Sequence, residues 1–303
     1  TAYLKAHFPE IYLSAVLTSE QGDTDKVAET IAECKRIGIP VLPPDVNESF
    51  SQFTVIKDKQ KKYRIRFGLV TIKNFGQGIS TAIIDERKRG GKFKSLSDFL
   101  DRVKDKNLNK KSLESLIKAG AMDCFGVDRG IMLANLDLML EYNKENSSQH
   151  ADQNSLFGGM TDMSSVPTLK LIEVPPAEMR DKLAWEKELL GLYISGHPLE
   201  RYRDIITKNG MDIKKAFETV KEGAATIFAG IITEVREIQT KKNETMAFVT
   251  IQDFSGTAEA VVFPRTYKEF HSLIVPDRCV AVKANVNTRN GEKGFIIERV
   301  KGL

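Results

Sequence analysis

The chain has 303 residues, of which 41% are hydrophobic and 28% are charged, and these values predict a globular protein of two or three domains. No apolar run approaches the ~18–20 residues of a membrane span, and the N-terminus has no basic-then-apolar signal segment, so we predict a cytoplasmic protein without membrane contact. The three cysteines lie far apart, which favours reduced thiols over a disulfide framework. Disordered, transmembrane and disulfide-rich classes are therefore excluded.

Positive charge is concentrated in one part of the chain. The net charge is only +4, but residues 64–118 hold nine lysines and five arginines against six acidic residues, a local net charge of +8. A local excess of one sign is typical of a surface that binds a polyanion such as nucleic acid. A solvated lysine-rich face is the alternative, and charge alone leaves it open.

Residues 1–50 are predicted to be helical, because Val27, Ile31 and Cys34 recur at the spacing of one helix face. Gly38 lies where a C-cap is expected, and the prolines that follow it prevent the helix from continuing.

A β-hairpin is predicted next, because residues 53–56 and 63–67 alternate apolar and polar side chains around a turn-like sequence. From about residue 69 to 142 the pattern is helical again, in short segments separated by glycine. Residues 143–182 lose this periodicity and are rich in Asn, Ser, Asp, Pro and Gly, so we predict a linker, followed by a helical connector over 183–223.

Residues 72–84 have apolar side chains on both sides of the hinge Gly76-Gln77-Gly78, and the segment resembles a helix-hairpin-helix motif. The two glycines let the backbone turn tightly and bring the N–H groups of the second helix close to a phosphate, where the helix dipole also favours an anion. Such contacts position a duplex without reading its bases.

A second, more degenerate copy follows, with residues 113–118 and 127–142 as its helices and Ala119-Gly120-Ala121 as its hairpin. A single Gly-x-Gly is a weak signal that is often structural, but two copies within the basic stretch favour duplex binding. The predicted duplex-binding residues are Lys73, Asn74, Gly76, Gly78, Ser80, Lys110, Lys111 and Lys118.

Five strand-like segments and one helix are predicted in the last part of the chain. The strands are residues 226–237, 246–253, 257–263, 278–287 and 294–300, and the helix is about 265–273. Three strands, a helix and two more strands are the order of an OB-fold, which binds oligonucleotides across one face and through the loop after its first strand.

Single-stranded nucleic acid is bound by aromatic platforms beside cations. The candidates here are Phe228, Arg236, Lys241, Lys242, Phe248, Phe263, Arg265 and Tyr267. Phenylalanine in a strand is more often part of the core, so we expect one or two of these aromatic rings to face solvent. Gly230 is expected to ease the bend of the first strand.

The predicted linker contains one apolar peptide, formed by Gln153, Asn154, Ser155, Leu156 and Phe157. Exposed Leu-Phe is unfavourable unless a partner buries it, and the peptide resembles the motif that binds the bacterial sliding clamp. A local tuck of the linker onto a neighbouring domain is the alternative.

Four longer phrases carry a wider resemblance. They are residues 2–9 (AYLKAHFP), 38–45 (GIPVLPPD), 116–123 (LIKAGAMD) and 191–199 (GLYISGHPL). With these phrases, the chain is similar over nearly all its length to the DnaE-type alpha subunit family of bacterial DNA polymerase III.

The resemblance implies a multidomain α+β chain, with a mainly helical N-terminal region containing tandem helix-hairpin-helix motifs, followed by an all-β OB-fold barrel. The implied domains are the end of the fingers (1–50), the duplex- and clamp-binding domain (51–142), the linker with the clamp-binding peptide (143–182), the helical connector (183–223) and the OB-fold (224–303). The implied partners are primer–template duplex, single-stranded template, a ring-shaped sliding clamp and other replicase subunits.

The family also implies DNA-directed DNA polymerase (nucleotidyltransferase) activity with Mg ions held by palm carboxylates. Those carboxylates are not found in this sequence, so we expect no catalytic residue, metal ligand or cofactor in this chain. A stand-alone DNA-binding scaffold or repair factor and an error-prone polymerase paralogue are the remaining alternatives. A NAD-dependent DNA ligase is disfavoured, because the domain order is reversed and neither an adenylation lysine motif nor a four-cysteine zinc site is present.

Overall fold

The computed structural model describes residues 1–58, 62–152, 169–289 and 292–303. The chain divides into a first unit, Thr1–Ser195, and a second unit, Gly196–Leu303. A helical region followed by a closed five-stranded barrel confirms the predicted α+β class. The finer domain boundaries at 50, 142, 182 and 223 stay predictions. No helix among the described residues is long and apolar enough to cross a membrane.

The first unit contains nine of the described α-helices and a three-stranded sheet. In chain order its elements are α1 (Ala2–His7), α2 (Pro9–Ser19), α3 (Thr24–Arg36), β1 (Val41–Leu42), β2 (Thr54–Lys57), β3 (Tyr63–Arg66), α4 (Gln77–Gly90), α5 (Leu96–Arg102), α6 (Lys110–Lys118), α7 (Arg129–Ala134), α8 (Leu136–Asp152) and α9 (Met179–Leu190). Gly38 follows α3 with a φ of 82°, a conformation that favours glycine and ends the helix as predicted.

The sheet has the order β1-β3-β2, with β1 parallel and β2 antiparallel to β3. The predicted hairpin is therefore confirmed. β1 was not predicted, because a two-residue strand between prolines has no alternating pattern. It forms because the amides of Ile65 and Phe67 donate to the carbonyls of Pro40 (3.0 Å) and Leu42 (3.1 Å).

One hydrophobic core spans the first unit. Its helices present the faces that their periodicity predicts: Ile79 and Ile83 of α4 and Leu113 and Leu116 of α6 are all buried. α6 begins at a reciprocal cap, in which Asn109 and Ser112 each accept the other's backbone N–H through their side chains.

The prediction of a helix before Gly76 is wrong, because this segment forms turns instead. Residues 69–75 form hydrogen-bonded turns, in which Ile72 donates to Leu69 O (3.2 Å) and Phe75 donates to Ile72 O (3.1 Å). Leu69, Ile72 and Phe75 recur every three residues and are all buried, which suits a tighter path than an α-helix. Asn74 then adopts a left-handed φ of 65°, which the helix could not contain.

The predicted helix 127–142 is also divided, into α7 and α8, at the buried Asn135. Its side-chain amide donates to Ile131 O (2.8 Å) and Ile172 O (2.9 Å), and its carbonyl accepts from Ile172 N (2.8 Å). The Asn135 side chain therefore donates one hydrogen bond to the backbone of Ile172 and accepts one from it, as the backbone of a neighbouring strand would.

A buried ion pair joins α7 to α9. Arg129 is 3% exposed and Glu186 is fully buried, with 2.9 Å between Nη1 and Oε1. Arg129 also pairs with Asp123 and donates to Lys118 O (3.2 Å) at the end of α6. Burial alone would lower the pKa of Arg129, but the hydrogen bonds and charges of Asp123 and Glu186 outweigh it and raise the pKa above its usual value.

Glycine is required at position 120, just after α6, where the backbone passes close to Arg129. Gly120 has a φ of 78°, and a Cβ there would lie 2.3 Å from Nη2 of Arg129. On the opposite side, Glu186 accepts from the amides of Ile194 (3.0 Å) and Ser195 (2.9 Å). The ion pair therefore holds together two of the phrases that carry the family resemblance, 116–123 and 191–199.

The second unit is a closed barrel with short helices. Its elements are α10 (Arg203–Asn209), α11 (Ile213–Thr219), β4 (Ala225–Gln239), β5 (Thr245–Gln252), β6 (Thr257–Val262), α12 (Pro264–Phe270), β7 (Cys279–Arg289) and β8 (Glu292–Gly302). The strand order is β4-β5-β6-β8-β7, and the predicted succession of three strands, a helix and two strands is confirmed. At Gly230 a Cβ would lie 2.4 Å from Cγ2 of Ile251, so the close approach of β4 to β5 needs glycine.

We expect Arg129→Ala to lower the free energy of unfolding of the first unit by about 3–5 kcal/mol, because it leaves the buried Glu186 carboxylate without its counter-ion. Urea denaturation of the full chain, followed by circular dichroism of the helical transition, measures the change. Lys110→Ala breaks the exposed pair with Asp137 and is the matched control, with little expected change. A wild-type midpoint for Arg129→Ala would contradict this account.

Candidate nucleic-acid interface

The N-terminus of α4 is open to solvent. Gly76 is its N-cap, and Gly76, Gln77 and Gly78 are exposed. Amides in the first turn of a helix have no acceptor within that helix. Of the backbone hydrogen bonds described outside helices and strands, none is donated by Gly76 or Gly78. These N–H groups are therefore positioned to donate hydrogen bonds to an anion.

A second helix start lies beside this one. A Cβ on Gly78 would be 3.1 Å from Nδ2 of Asn107, so the loop before α6 lies against the first turn of α4. Asn109, two residues later, is the N-cap of α6. The neighbouring Lys106 and Lys111 are exposed, and no ion pair is found for either among the described residues. Lys106 and Asn107 were missed from the sequence, because their proximity to Gly78 depends on a tertiary contact.

The other predicted lysines differ in whether their side chains are already ion-paired with a carboxylate. Lys73 is exposed, and its backbone amide donates to Leu189 O (2.9 Å) at the end of α9. Lys110 is paired with Asp137 (2.8 Å), and the half-buried Lys118 is paired with Glu114 (2.7 Å). A phosphate would have to compete with these carboxylates for the last two lysines.

Ser80 is a correction to the predicted site. It is fully buried, its amide donates to Gly76 O (3.3 Å), and its hydroxyl lies 3.2 Å from the hydroxyl of Ser51. Ser80 therefore closes the first turn of α4 from inside and has no surface to offer a phosphate. Asn74, in contrast, is exposed at its left-handed turn.

Several of the basic side chains that give residues 64–118 their net charge of +8 point into the fold. Arg66 donates to Pro43 O (2.8 Å) and pairs with Glu48. Arg87 donates to two backbone carbonyls at 2.8 and 2.7 Å, and burial lowers its pKa. Arg102 pairs with Glu86 and Asp98. Apart from the exposed Arg89, which pairs with Glu86, the basic surface left for nucleic acid is formed mainly by lysines.

In the second unit, the outer face of the barrel brings together part of the predicted single-strand site. Arg236 of β4 is opposite Phe248 of β5, and Phe248 is opposite Val261 of β6. The Arg236 guanidinium lies 5.5 Å from the centre of the Phe248 ring. Phe263, which follows β6 directly, is 48% exposed. A cation and aromatic rings on one outer face are a platform on which bases can stack.

The remaining predicted residues lie in the turn between β4 and β5 and in α12. Lys241 and Lys242 are exposed in the turn between β4 and β5, and Arg265 is exposed in α12. Tyr267 is half-buried and donates to Oε1 of Glu237 (2.6 Å). Burial, and then the hydrogen bond and charge of Glu237, raise the pKa of Tyr267 to about 12.

Phe228 is the second correction. It is fully buried in the barrel, and its ring centre lies 4.4 Å from that of Phe295. It therefore packs the core and cannot stack on a base. As expected, few of the aromatic candidates face solvent: Phe263 is exposed, while Phe248 and Tyr267 are half-buried.

The predicted clamp-binding peptide, Gln153 to Phe157, lies outside the described residues. The chain before it is attached to the core by Asn143, whose amide donates to Leu100 O (2.6 Å) and Val103 O (3.0 Å). The chain after it is attached by Asn135 and by Asp128, which accepts from Ala177 N (2.8 Å). Both flanks of the peptide are therefore attached to the first unit.

Two family models match the chain. Residues 38–132 match a family described as helix-hairpin-helix motif, and residues 226–301 match a family described as OB-fold nucleic acid binding domain. The first match includes both glycine hinges, and the second spans the barrel.

Curated proteins named DNA polymerase III subunit alpha are similar to nearly all of the chain. The Thermus aquaticus protein is 39% identical over 94% of this chain and 23% of its own length. Those of Borreliella burgdorferi and Aquifex aeolicus are 36% and 38% identical over 100% and 99% of this chain, and over 26% and 24% of their own lengths. The chain thus spans about a quarter of the length of these relatives.

Among solved structures, the single-stranded DNA binding protein Rim1 of S. cerevisiae mitochondria is 17% identical over 27% of this chain and 97% of its own, with a TM-score of 0.23. A likeness this low carries no argument about function.

Proposed function

The chain is homologous over nearly its full length to a segment of the DNA polymerase III alpha subunit, and on this premise we propose that it is the DNA-binding and clamp-docking part of a bacterial replicative DNA polymerase. The observation that carries the proposal is the exposed N-terminal turn of α4, set against the loop that begins α6. Template-directed synthesis, the palm Mg ions and the other replicase subunits belong to the proposed whole polymerase.

Duplex DNA is held through its backbone. The amides of Gly76 and Gly78 point to solvent at the positive end of a helix dipole, which favours a phosphate. Lys73, Lys106 and Lys111 stand near the two helix starts and add a charge that depends on salt but not on base sequence. A replicative polymerase needs such a grip, because it must hold every sequence that it copies.

The outer barrel face is proposed to guide single-stranded template. The Arg236 guanidinium lies over the half-buried ring of Phe248, and Phe263 adds an exposed ring. Because stacking accepts any base, this face also suits a polymerase that is indifferent to sequence.

The peptide from Gln153 to Phe157 is proposed to dock on the ring-shaped clamp. Both flanks of the peptide are attached to the first unit, which also contains the proposed duplex grip, so the two binding sites are tethered in one chain. Each contact is weak, but tethering makes the second binding event intramolecular and raises its effective concentration. The result is processive contact with DNA.

A stand-alone scaffold or repair factor is the rival function. Matches to polymerase III alpha subunits over 94–100% of the chain favour the polymerase. An error-prone polymerase paralogue has the same architecture and stays open.

We expect Lys73→Ala with Lys111→Ala to weaken binding to a short DNA duplex and to reduce the slope of log affinity against log salt by about 0.9 for each lost contact. Fluorescence anisotropy over a salt series measures both quantities. Lys26→Ala, in α3, removes one charge away from the proposed grip and is the control. An unchanged slope in the double variant would remove the duplex grip from the proposal.

We expect Phe248→Ala with Phe263→Ala to weaken binding to oligo(dT) by about 1–3 kcal/mol per lost stacked base. Titration of the labelled oligonucleotide, with circular dichroism to verify folding, measures the effect. Phe254→Ala is the matched control, because Phe254 is 37% exposed in the loop between β5 and β6, outside this face. Equal losses in the control and the double variant would show that stacking on this face is not the cause.

We expect Leu156→Ala with Phe157→Ala to abolish binding to the clamp, because burial of each apolar side chain contributes about 1.5–3 kcal/mol. Surface plasmon resonance with immobilised clamp measures the interaction, and Met163→Ala in the same predicted linker is the control. Wild-type affinity in the double variant would exclude this docking site while leaving the duplex grip intact.

A further inference from the structure

The three-stranded sheet of the first unit has an unpaired edge at β2. The amides of Ile65 in β3 and of Phe67 just after it donate to the segment containing β1, so the backbone N–H and C=O groups of these two residues point away from β2. The alternate residues Arg64 and Arg66 therefore form the hydrogen-bonded pairs with β2. The partners of Arg64 and Arg66 are Ile56 and Thr54.

It follows that Val55 and Lys57 direct their backbone N–H and C=O groups away from the sheet. Outside strand pairing, no backbone hydrogen bond of the described residues is donated by either amide. β2 has only four residues, which limits indiscriminate pairing, but each outward residue offers one donor and one acceptor. This is the spacing that the backbone of an added strand requires.

A groove of about 480 Å³ adjoins the start of this strand. One wall is the segment that leads into β2, and the other is α4. Its lining includes Phe50, Phe53, Thr54, Thr81, Ile84 and Lys88. The first wall is fixed, because a Cβ on Gly68 would lie 2.4 Å from Ser51 O, so the two backbones are in contact. The groove therefore has one rigid wall, and its lining mixes the apolar side chains of Phe50, Phe53 and Ile84 with polar ones.

The side chains that surround the groove and the outer edge of β2, called the rim below, favour an acidic ligand. Its exposed lysines are Lys57, Lys62 and Lys88. Among the described residues here, Asp58 is already paired with Arg64 (2.6 Å) and Asp85 with Lys88 (3.6 Å). Local charge is therefore positive, and it attracts a segment that carries carboxylates.

Nucleic acid fits this edge poorly. A phosphodiester backbone presents acceptors, which would match the outward N–H groups but oppose the outward carbonyls of Val55 and Lys57. A polypeptide in an extended conformation alternates donors and acceptors and satisfies both.

We propose that the edge of β2 and its adjoining groove bind an extended, acidic polypeptide segment of a partner protein, which adds a fourth strand to the sheet. Main-chain hydrogen bonds to Val55 and Lys57 supply the affinity. An apolar side chain of the segment enters the groove between Phe53 and Ile84, and carboxylates of the segment meet the rim lysines.

The probe is a capped nonapeptide that alternates glutamate with valine and has one central phenylalanine, titrated into the full chain. We expect amide hydrogen exchange at Val55 and Lys57 to slow on binding. The same peptide with N-methyl groups on its alternate residues keeps every side chain and charge but loses backbone donors, and we expect it to bind at least ~tenfold more weakly.

Two variants extend the test. Val55→Pro removes one outward N–H and leaves the pairing with β3 in place, while Thr81→Trp fills the groove from an exposed position of α4. Both variants should weaken binding of the peptide by at least ~tenfold, a loss of about 1.4 kcal/mol of binding free energy. The proposal is overturned if saturating peptide leaves exchange at Val55 unchanged, if the N-methylated peptide binds equally well, or if duplex DNA protects these amides instead. Duplex affinity measured on Val55→Pro, which leaves α4 unchanged, separates this site from the proposed DNA grip.

Discussion

The buried pair of Arg129 and Glu186 is the interaction on which the first unit depends. Removing two charges from water is costly, and only their mutual contact and complete hydrogen bonding offset that cost. The pair fixes α9 against α7, and the last turn of α9 then supplies Leu189 O to the amide of Lys73. Because Lys73 lies in the hinge that leads to Gly76, the position of the exposed amides at the start of α4 follows from an ion pair that never reaches the surface.

The basic residues divide by type. Arg66, Arg87 and Arg102 use their planar, multiply donating guanidinium groups to bind carboxylates and backbone carbonyls inside the fold. Lys73 and Lys111 stay at the surface as hydrated point charges. Contacts of that kind to phosphate are individually weak and sensitive to salt, so the proposed grip on DNA depends on several lysines acting together.

The barrel was predictable because period-two alternation and turn residues are local signals, and β4 to β8 follow them. Errors arose where one residue type serves either role. Ser80 lies at helical spacing from Ile83 and Ile84, so its inward position could have been inferred from the same periodicity. Phe228 has no such local signal, because a phenylalanine in a strand fits core or surface. Asn107 could not be predicted, since only tertiary packing brings it to Gly78.

One helix serves both proposed binding surfaces of the first unit. The start of α4 carries the amides that are proposed to bind DNA, and its next turns form a wall of the groove beside β2. Gln77 links the two, because its side-chain amide donates to the hydroxyl of Ser51 at 3.1 Å and to that of Thr81 at 3.2 Å. A ligand that fills the groove against Thr81 would therefore contact a side chain that is hydrogen-bonded to the first turn of α4. Since linkage is reciprocal, any coupling that this side chain transmits acts equally on both ligands.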